Sequence, residues 1–163
     1  MNAPTTDAAE FAQLLPGRGR LLALDIGTKT IGLATASADW GFASARETLA
    51  RQTPAKDLAA LRALVDREAI TGLVIGLPLS MDGTDSSRTQ SVRAQANNLA
   101  AGLMRPVLLW DERWSSVAVE RMMVDADLSR RKRAERIDAL AAAHILEGAL
   151  ARLQRLAAPE PWG

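Results

Sequence analysis

LLALDIGTKTIGLATA, residues 21–36, is the stretch that decides the fold. An apolar run ends on Asp25, turns through Gly27-Thr28-Lys29 and returns as a second apolar run. This pattern predicts two strands, about 20–26 and 30–36, joined by a tight turn. A carboxylate set in a run of Leu and Ala is costly to desolvate unless something positive neutralises it, a metal ion or a phosphate-bound cation. The competing reading is a turn aspartate that bonds its own backbone ahead of Gly27. Asp111/Glu112 and Asp138 also sit at the edges of apolar elements. Three such acidic points in one small chain suggest a divalent-metal site.

Composition narrows the chemistry. A chain of 163 residues reads as one domain and can bury a core without staples. There is no cysteine, which excludes disulfides and thiolate-ligated zinc. His144 is the one histidine, so oxygen atoms are the natural metal ligands. No apolar stretch approaches the ~20 residues of a membrane span. The start, MNAPTTDAAEF, lacks the basic and long apolar regions of a signal peptide, which leaves cytoplasm as the expected location and no membrane as a partner. The net charge of +1 rules out a wholly basic coat but permits a local one, and SRRKRAER, with Arg130, Arg131, Lys132, Arg133 and Arg136, supplies it. Aromatic residues are few, so stacking on many bases is not the main mode of recognition.

Working outward, residues 1–18 read as a flexible arm, 19–156 as the folded domain and 157–163 as a tail. A third strand is expected over about 43–49. Thr53-Pro54 caps a helix running to about Glu68, with Leu58, Leu61, Leu64 and Val65 on one face. LVIGLP reads as a strand buried on both faces. The polar loop SMDGTDSS, a helix over about 87–102 and the strand VLLWDE follow. Ser115-Ser116 can cap a helix over about 116–125, residues 128–133 read as a loop, and an Ala-rich helix covers about 134–156. The order implies a mixed α/β sheet of five strands: a three-strand meander, then alternating helices and strands with right-handed crossovers. Sites in such sheets collect at strand carboxyl ends, where Asp25 and Asp111/Glu112 lie.

The chain resembles the YqgF/RuvX family of Holliday-junction-resolvase-like proteins and pre-16S rRNA nucleases. Four motifs in the family's order carry the resemblance: LALDIGTKTIGLA at 22–34, VIGLPLSMDGTDSSRT at 74–89, WDERWSS at 110–116 and RIDALAAAHIL at 136–146. It spans about residues 20–152. It implies an RNase H-like fold and makes Asp25, the pair Asp111/Glu112 and Asp138 the metal-binding carboxylates. One departure is visible: Trp114-Ser115-Ser116 stands where the family usually has Leu-Thr-Thr.

The roles that follow are expectations. Two-metal nucleases hold two Mg²⁺ or Mn²⁺ ions about 4 Å apart, bridged by one carboxylate, and Asp25 is the candidate bridge. Asp111 and Glu112 are adjacent in an extended segment, so their side chains face opposite ways. The resemblance favours Glu112 for the site, leaving Asp111 to cap or pair with Arg113. Asp138 shares a small, apolar helix face with Ala141, Ala142 and Ile145, and a first-turn acid serving its own helix is the bland alternative. Catalysis would thus rest on Asp25, Glu112 and Asp138, with Asp111 a further candidate ligand. Lys29, Arg88, Arg113, Arg130, Arg131, Lys132 and Arg133 are the candidates for gripping phosphates without reading sequence. The loop before Ser86-Ser87 could cradle phosphate at a helix N-terminus or be a plain connector. Trp110 reads as core, Trp114 as a base-stacking or surface residue, and His144 as a packed polar residue. The function expected is a metal-dependent endonuclease acting on structured nucleic acid, with processing of the 5′ end of precursor 16S ribosomal RNA favoured over resolution of branched DNA. A homodimer is left open. The competing classes are an actin/hexokinase-like phosphotransferase, matched loosely at Asp25, Gly27 and Thr30, and a non-catalytic nucleic-acid adaptor.

Overall fold

The structure, a computed structural model, describes residues 3–17, 19–36, 40–113 and 130–157, with the backbone alone for 130–139. The helix expected over 116–125, Trp114 and the tail from 158 lie outside the described residues. The elements run α1 (Ala8–Leu14), β1 (Arg20–Ile26), β2 (Thr30–Ala36), β3 (Ala43–Ala45), β4 (Leu49–Ala50), α2 (Pro54–Arg67), β5 (Ile70–Leu77), α3 (Ser87–Leu103), β6 (Val107–Asp111) and α4 (Arg130–Ala157). The sheet order is β3-β2-β1-β5-β6, with β4 also on β2. Pairings β1–β2, β2–β3 and β2–β4 are antiparallel, and β1–β5 and β5–β6 are parallel.

Alternation along the central strands sorts the core into two layers. Leu22, Leu24, Ile26, Leu73, Ile75 and Leu109 pack with α2 and α3 through Leu61, Leu64, Val92 and Leu99. Leu21, Ala23, Val74 and Leu108 pack on the opposite face with Phe11, Ala142, Ile145 and Leu146. Strand β1 is therefore apolar on both faces, as its position between β2 and β5 requires. Cap chemistry sets the two crossover helices: Thr53 accepts the Lys56 N–H at 3.2 Å, and Ser86 and Thr89 form a reciprocal capping box.

Three expectations change. The single third strand is two, giving six strands among the described residues instead of five. Pairing moves from Ala34↔Ala45 to Ile31↔Leu49, so four steps on one strand match three on β2, which is the count of a β-bulge. The arm expected over 1–18 is in part folded: Asp7 caps α1, Phe11 is fully buried, and Thr5 bonds β6 through Val107 and Leu109. A Cβ at Gly72 would lie 2.9 Å from the Phe11 ring and 2.7 Å from Leu15, so α1 sits directly on β5. The basic run Arg130–Arg133 is helical and opens α4 instead of forming a loop. Lys, Arg and Ala are strong helix formers, and neither Gly nor Pro interrupts them.

Candidate metal centre

Asp25 follows Leu21 and Ala23 on the α1/α4 face of β1, one residue past the Leu24–Ile75 pair with β5. Gly76 follows Val74 on the same face of β5 and pairs with Trp110 of β6. Glu112, two residues beyond Trp110, returns to that face just past the end of β6, with its N–H donated to the Leu77 carbonyl at 3.3 Å. Strand alternation therefore brings Asp25, Gly76 and Glu112 to one side of the sheet, beneath α4. A Cβ at Gly76 would lie 2.5 Å from Glu112 Oε2 and 2.5 Å from Ile145 Cδ1. The Glu112 carboxyl thus lies across β5, between its backbone and α4.

Electrostatics record the crowding. The Glu112 carboxyl is pushed up to about 8, first by burial, then by the negative charge of Asp25 and a hydrogen bond with it. Arg88, in the first turn of α3, pulls the other way. Asp25, Glu112 and Arg88 are therefore one electrostatic unit. Burial beside Asp25 therefore favours the protonated form of Glu112.

Asp111 is paired with Arg113, which donates to it from Nε at 3.0 Å and from Nη2 at 2.7 Å. These bonds hold the Asp111 carboxyl below the usual carboxylate range. Arg113 also donates from Nη1 to the Met81 carbonyl at 3.2 Å. Loop 78–86 is tied further: Ser80 N–H to Thr84 at 2.9 Å, Gly83 N–H to Ser80 at 2.8 Å, and the buried Thr89 hydroxyl to Pro78 at 2.5 Å. The loop is a folded element anchored to β6 and α3, not a loose connector.

Asp138 lies on α4, seven residues before Ile145 and on the face that continues to Ala142 and Ile145. Its side chain, with those of Glu135 and the run Arg130, Arg131, Lys132 and Arg133, lies outside the described residues. Lys29 is exposed in the turn after β1, and its carbonyl accepts the Arg51 N–H at 2.9 Å. Trp110 packs against Gly148 of α4, where a Cβ would lie 3.0 Å from its ring. His144 is partly exposed with Nδ1 3.7 Å from Glu147 Oε2.

Two contributors escaped the reading of the sequence. Arg51 donates from Nη1 to the Gly27 carbonyl at 2.6 Å and so braces the turn after Asp25. Nothing in its local sequence marks it. Gly76 reads as part of an apolar run, although a glycine inside a strand signals close approach of another group.

The donor chemistry fits a hard divalent cation. The converging groups are carboxylates, and no cysteine exists to compete. Among the described residues no three His, Cys, Asp or Glu side chains form a metal-sized cluster; Asp25 and Glu112 are a pair of carboxylates.

A family model described as "RuvX: Holliday junction resolvase" matches residues 19–152. The chain is 60% identical over 151 residues to a protein of Sphingopyxis alaskensis named "Putative pre-16S rRNA nuclease", covering 93% of this chain and 99% of that protein. A protein of the same name from Zymomonas mobilis is 54% identical over 140 residues, covering 86% and 85%. Among solved structures, T. thermophilus RuvC in complex with Holliday junction substrate matches with a TM-score of 0.53 at 16% identity, covering 83% of this chain and 96% of that one. That likeness is one of fold, and the fold is RNase H-like. Sequence, extent and fold agree that the chain belongs to the RuvX family.

Proposed function

We propose that this chain is a nuclease that hydrolyses phosphodiester bonds in structured nucleic acid with the help of Mg²⁺ or Mn²⁺, two ions in the full site. Precursor 16S ribosomal RNA is the favoured substrate, after the names of its relatives, and branched DNA is the second. The observation that carries the metal reading is the juxtaposition of Asp25 and Glu112, with Glu112 forced to hold a proton at neutral pH. A divalent cation bound there would polarise a phosphoryl oxygen and acidify a water nucleophile. Asp25 supplies a carboxylate from a central strand that cannot yield. Glu112 supplies a second once its proton leaves, and Asp138 is the proposed third, from α4. Arg88 stands beside Glu112 with its positive charge available to a phosphate. Arg113 fixes loop 78–86 beside that position. Lys29 and the run Arg130–Arg133 are the proposed outer phosphate contacts.

The test is cleavage of precursor 16S RNA and of a four-way DNA junction by the purified protein, with Mg²⁺, Mn²⁺ or excess chelator. Cleavage of the RNA that stops in chelator is expected. Full activity in chelator would end the metal reading. Cleavage of the junction alone would transfer the assignment to DNA.

A further inference from the structure

We infer that Gly76 is a positioning residue of the centre: its missing side chain is the space through which Glu112 reaches across β5 toward Asp25. The inference rests on the metal-centre reading and assigns a role to a residue with no ligand atom.

Strand interiors disfavour glycine, which costs backbone entropy and packs nothing, so its presence in β5 needs a reason. Backbone conformation is not that reason. The positive-φ glycines among the described residues are Gly17 and Gly83, and Gly76 is not one of them. Space is the reason. The nearest atoms to a Cβ there would be Glu112 Oε2 and Ile145 Cδ1, both at 2.5 Å, with Glu112 Cδ at 3.0 Å. The two neighbours differ in their freedom to yield. Ile145 Cδ1 ends a side chain that can change rotamer. Glu112 is pinned at its N–H by Leu77 and bonded at its carboxyl to Asp25. A methyl group at 76 would therefore part Glu112 from Asp25, while alanine itself suits the strand no worse than glycine.

The experiment pairs Gly76→Ala with Ile145→Val, which removes Cδ1 and leaves the carboxyl as the remaining obstacle. Two readouts are taken: the Mn²⁺ concentration that half-saturates the rise in melting temperature without nucleic acid, and kcat/KM for cleavage. Gly76→Ala/Ile145→Val should melt like the unmodified protein in chelator. Its Mn²⁺ affinity and kcat/KM should each fall about 10–100-fold, the range for losing a group that orients metal ligands. Glu112→Asp withdraws the carboxyl by one methylene. It should harm the unmodified protein yet recover Mn²⁺ affinity, or folding if that is lost, in the Gly76→Ala/Ile145→Val background. Unchanged Mn²⁺ affinity in that double variant, or equal harm from Glu112→Asp in both backgrounds, would overturn the positioning role. An unmodified protein that neither binds Mn²⁺ nor needs it would overturn the metal reading, and the positioning role with it.

Discussion

Asp25 and Glu112 act on each other across a strand that belongs to neither. Strand β5 runs between β1 and β6, and at Gly76 it carries no side chain to keep the two carboxyls apart. Glu112 pays for this closeness by holding its proton up to about pH 8.

Stability of the metal-free protein should consequently fall as pH rises. In the unfolded chain Glu112 ionises near its ordinary value of 4.5, whereas in the fold it does so at about 8. Between those values the folded state binds the extra proton, so the slope of unfolding free energy against pH is negative there. The contribution is whole below 4.5 and gone once pH passes about 8. Melting in chelator across that range should show the decline, and Glu112→Gln should flatten it. Mg²⁺ or Mn²⁺ should also flatten it and release a proton on binding near pH 7. A metal-free melting curve that rises steadily toward pH 8 would contradict the arrangement.

Asp25→Asn should abolish cleavage with the fold intact. The change keeps size and hydrogen bonding and removes one charge. The negative charge of Asp25 helps to push the Glu112 carboxyl up, so its loss should also shift the midpoint of the pH-dependent decline downward. Thermal stability in chelator should be equal to or above that of the unmodified protein. Undiminished cleavage by the pure variant would remove Asp25 from the chemistry.

Phe11→Ala should cost about 3–5 kcal/mol, the usual loss for deleting a buried aromatic side chain. Phe11 is fully buried against Gly72 of β5 and within the cluster that includes Ile145 and Leu146 of α4. Urea denaturation measures the loss directly. A change below about 1 kcal/mol would mean that α1 is not part of the cooperative unit.

How much of this was readable follows from where the determinants lie. The bounds of β1, β2 and α2 were legible because apolar runs, a Gly turn and a Thr-Pro cap are local signals. α1 was missed although Asp7, Phe11 and Leu15 carry a cap and one helical face, because seven residues make a weak periodicity. The break between β3 and β4 was not legible, since it depends on the register with β2 and on Glu68, the residue that follows α2, binding Arg46 at 2.6 Å. At the site, alternation anticipated that Asp111 and Glu112 part company, and the Asp111–Arg113 pair was foreseen. The contact of Glu112 with Gly76 was hidden, because it joins residues that only the order of strands brings together.

Arg113→Ala should change substrate use more than stability. Its pair with Asp111 is partly exposed, and such pairs contribute about 0–1 kcal/mol. Its bond to the Met81 carbonyl, however, is a tie between β6 and loop 78–86. Loss of that tie should raise KM several-fold with kcat largely kept. A large fall in kcat with KM unchanged would instead place Arg113 in the reacting centre.

Replacing Arg130, Arg131, Lys132 and Arg133 together with Ser should weaken nucleic-acid binding and reduce its dependence on salt. These residues occupy consecutive positions of α4, the helix that carries Asp138. Consecutive positions on a helix are turned by about 100° each, so four in a row do not share one face. Fewer than four can therefore meet one nucleic-acid backbone at once. Each lost phosphate contact lowers the slope of log affinity against log salt by about 0.7–0.9, single-stranded contacts at the lower end. The quadruple variant should thus lose the slope of one or two contacts, not of four. Single replacements should divide unequally, with the residues turned toward the substrate carrying the change. The effect should fall on binding, measured by titration at several salt concentrations in Ca²⁺ to hold back cleavage. An unchanged slope in the quadruple variant would show that the run is merely solvated, and Arg88 would then be the leading phosphate contact.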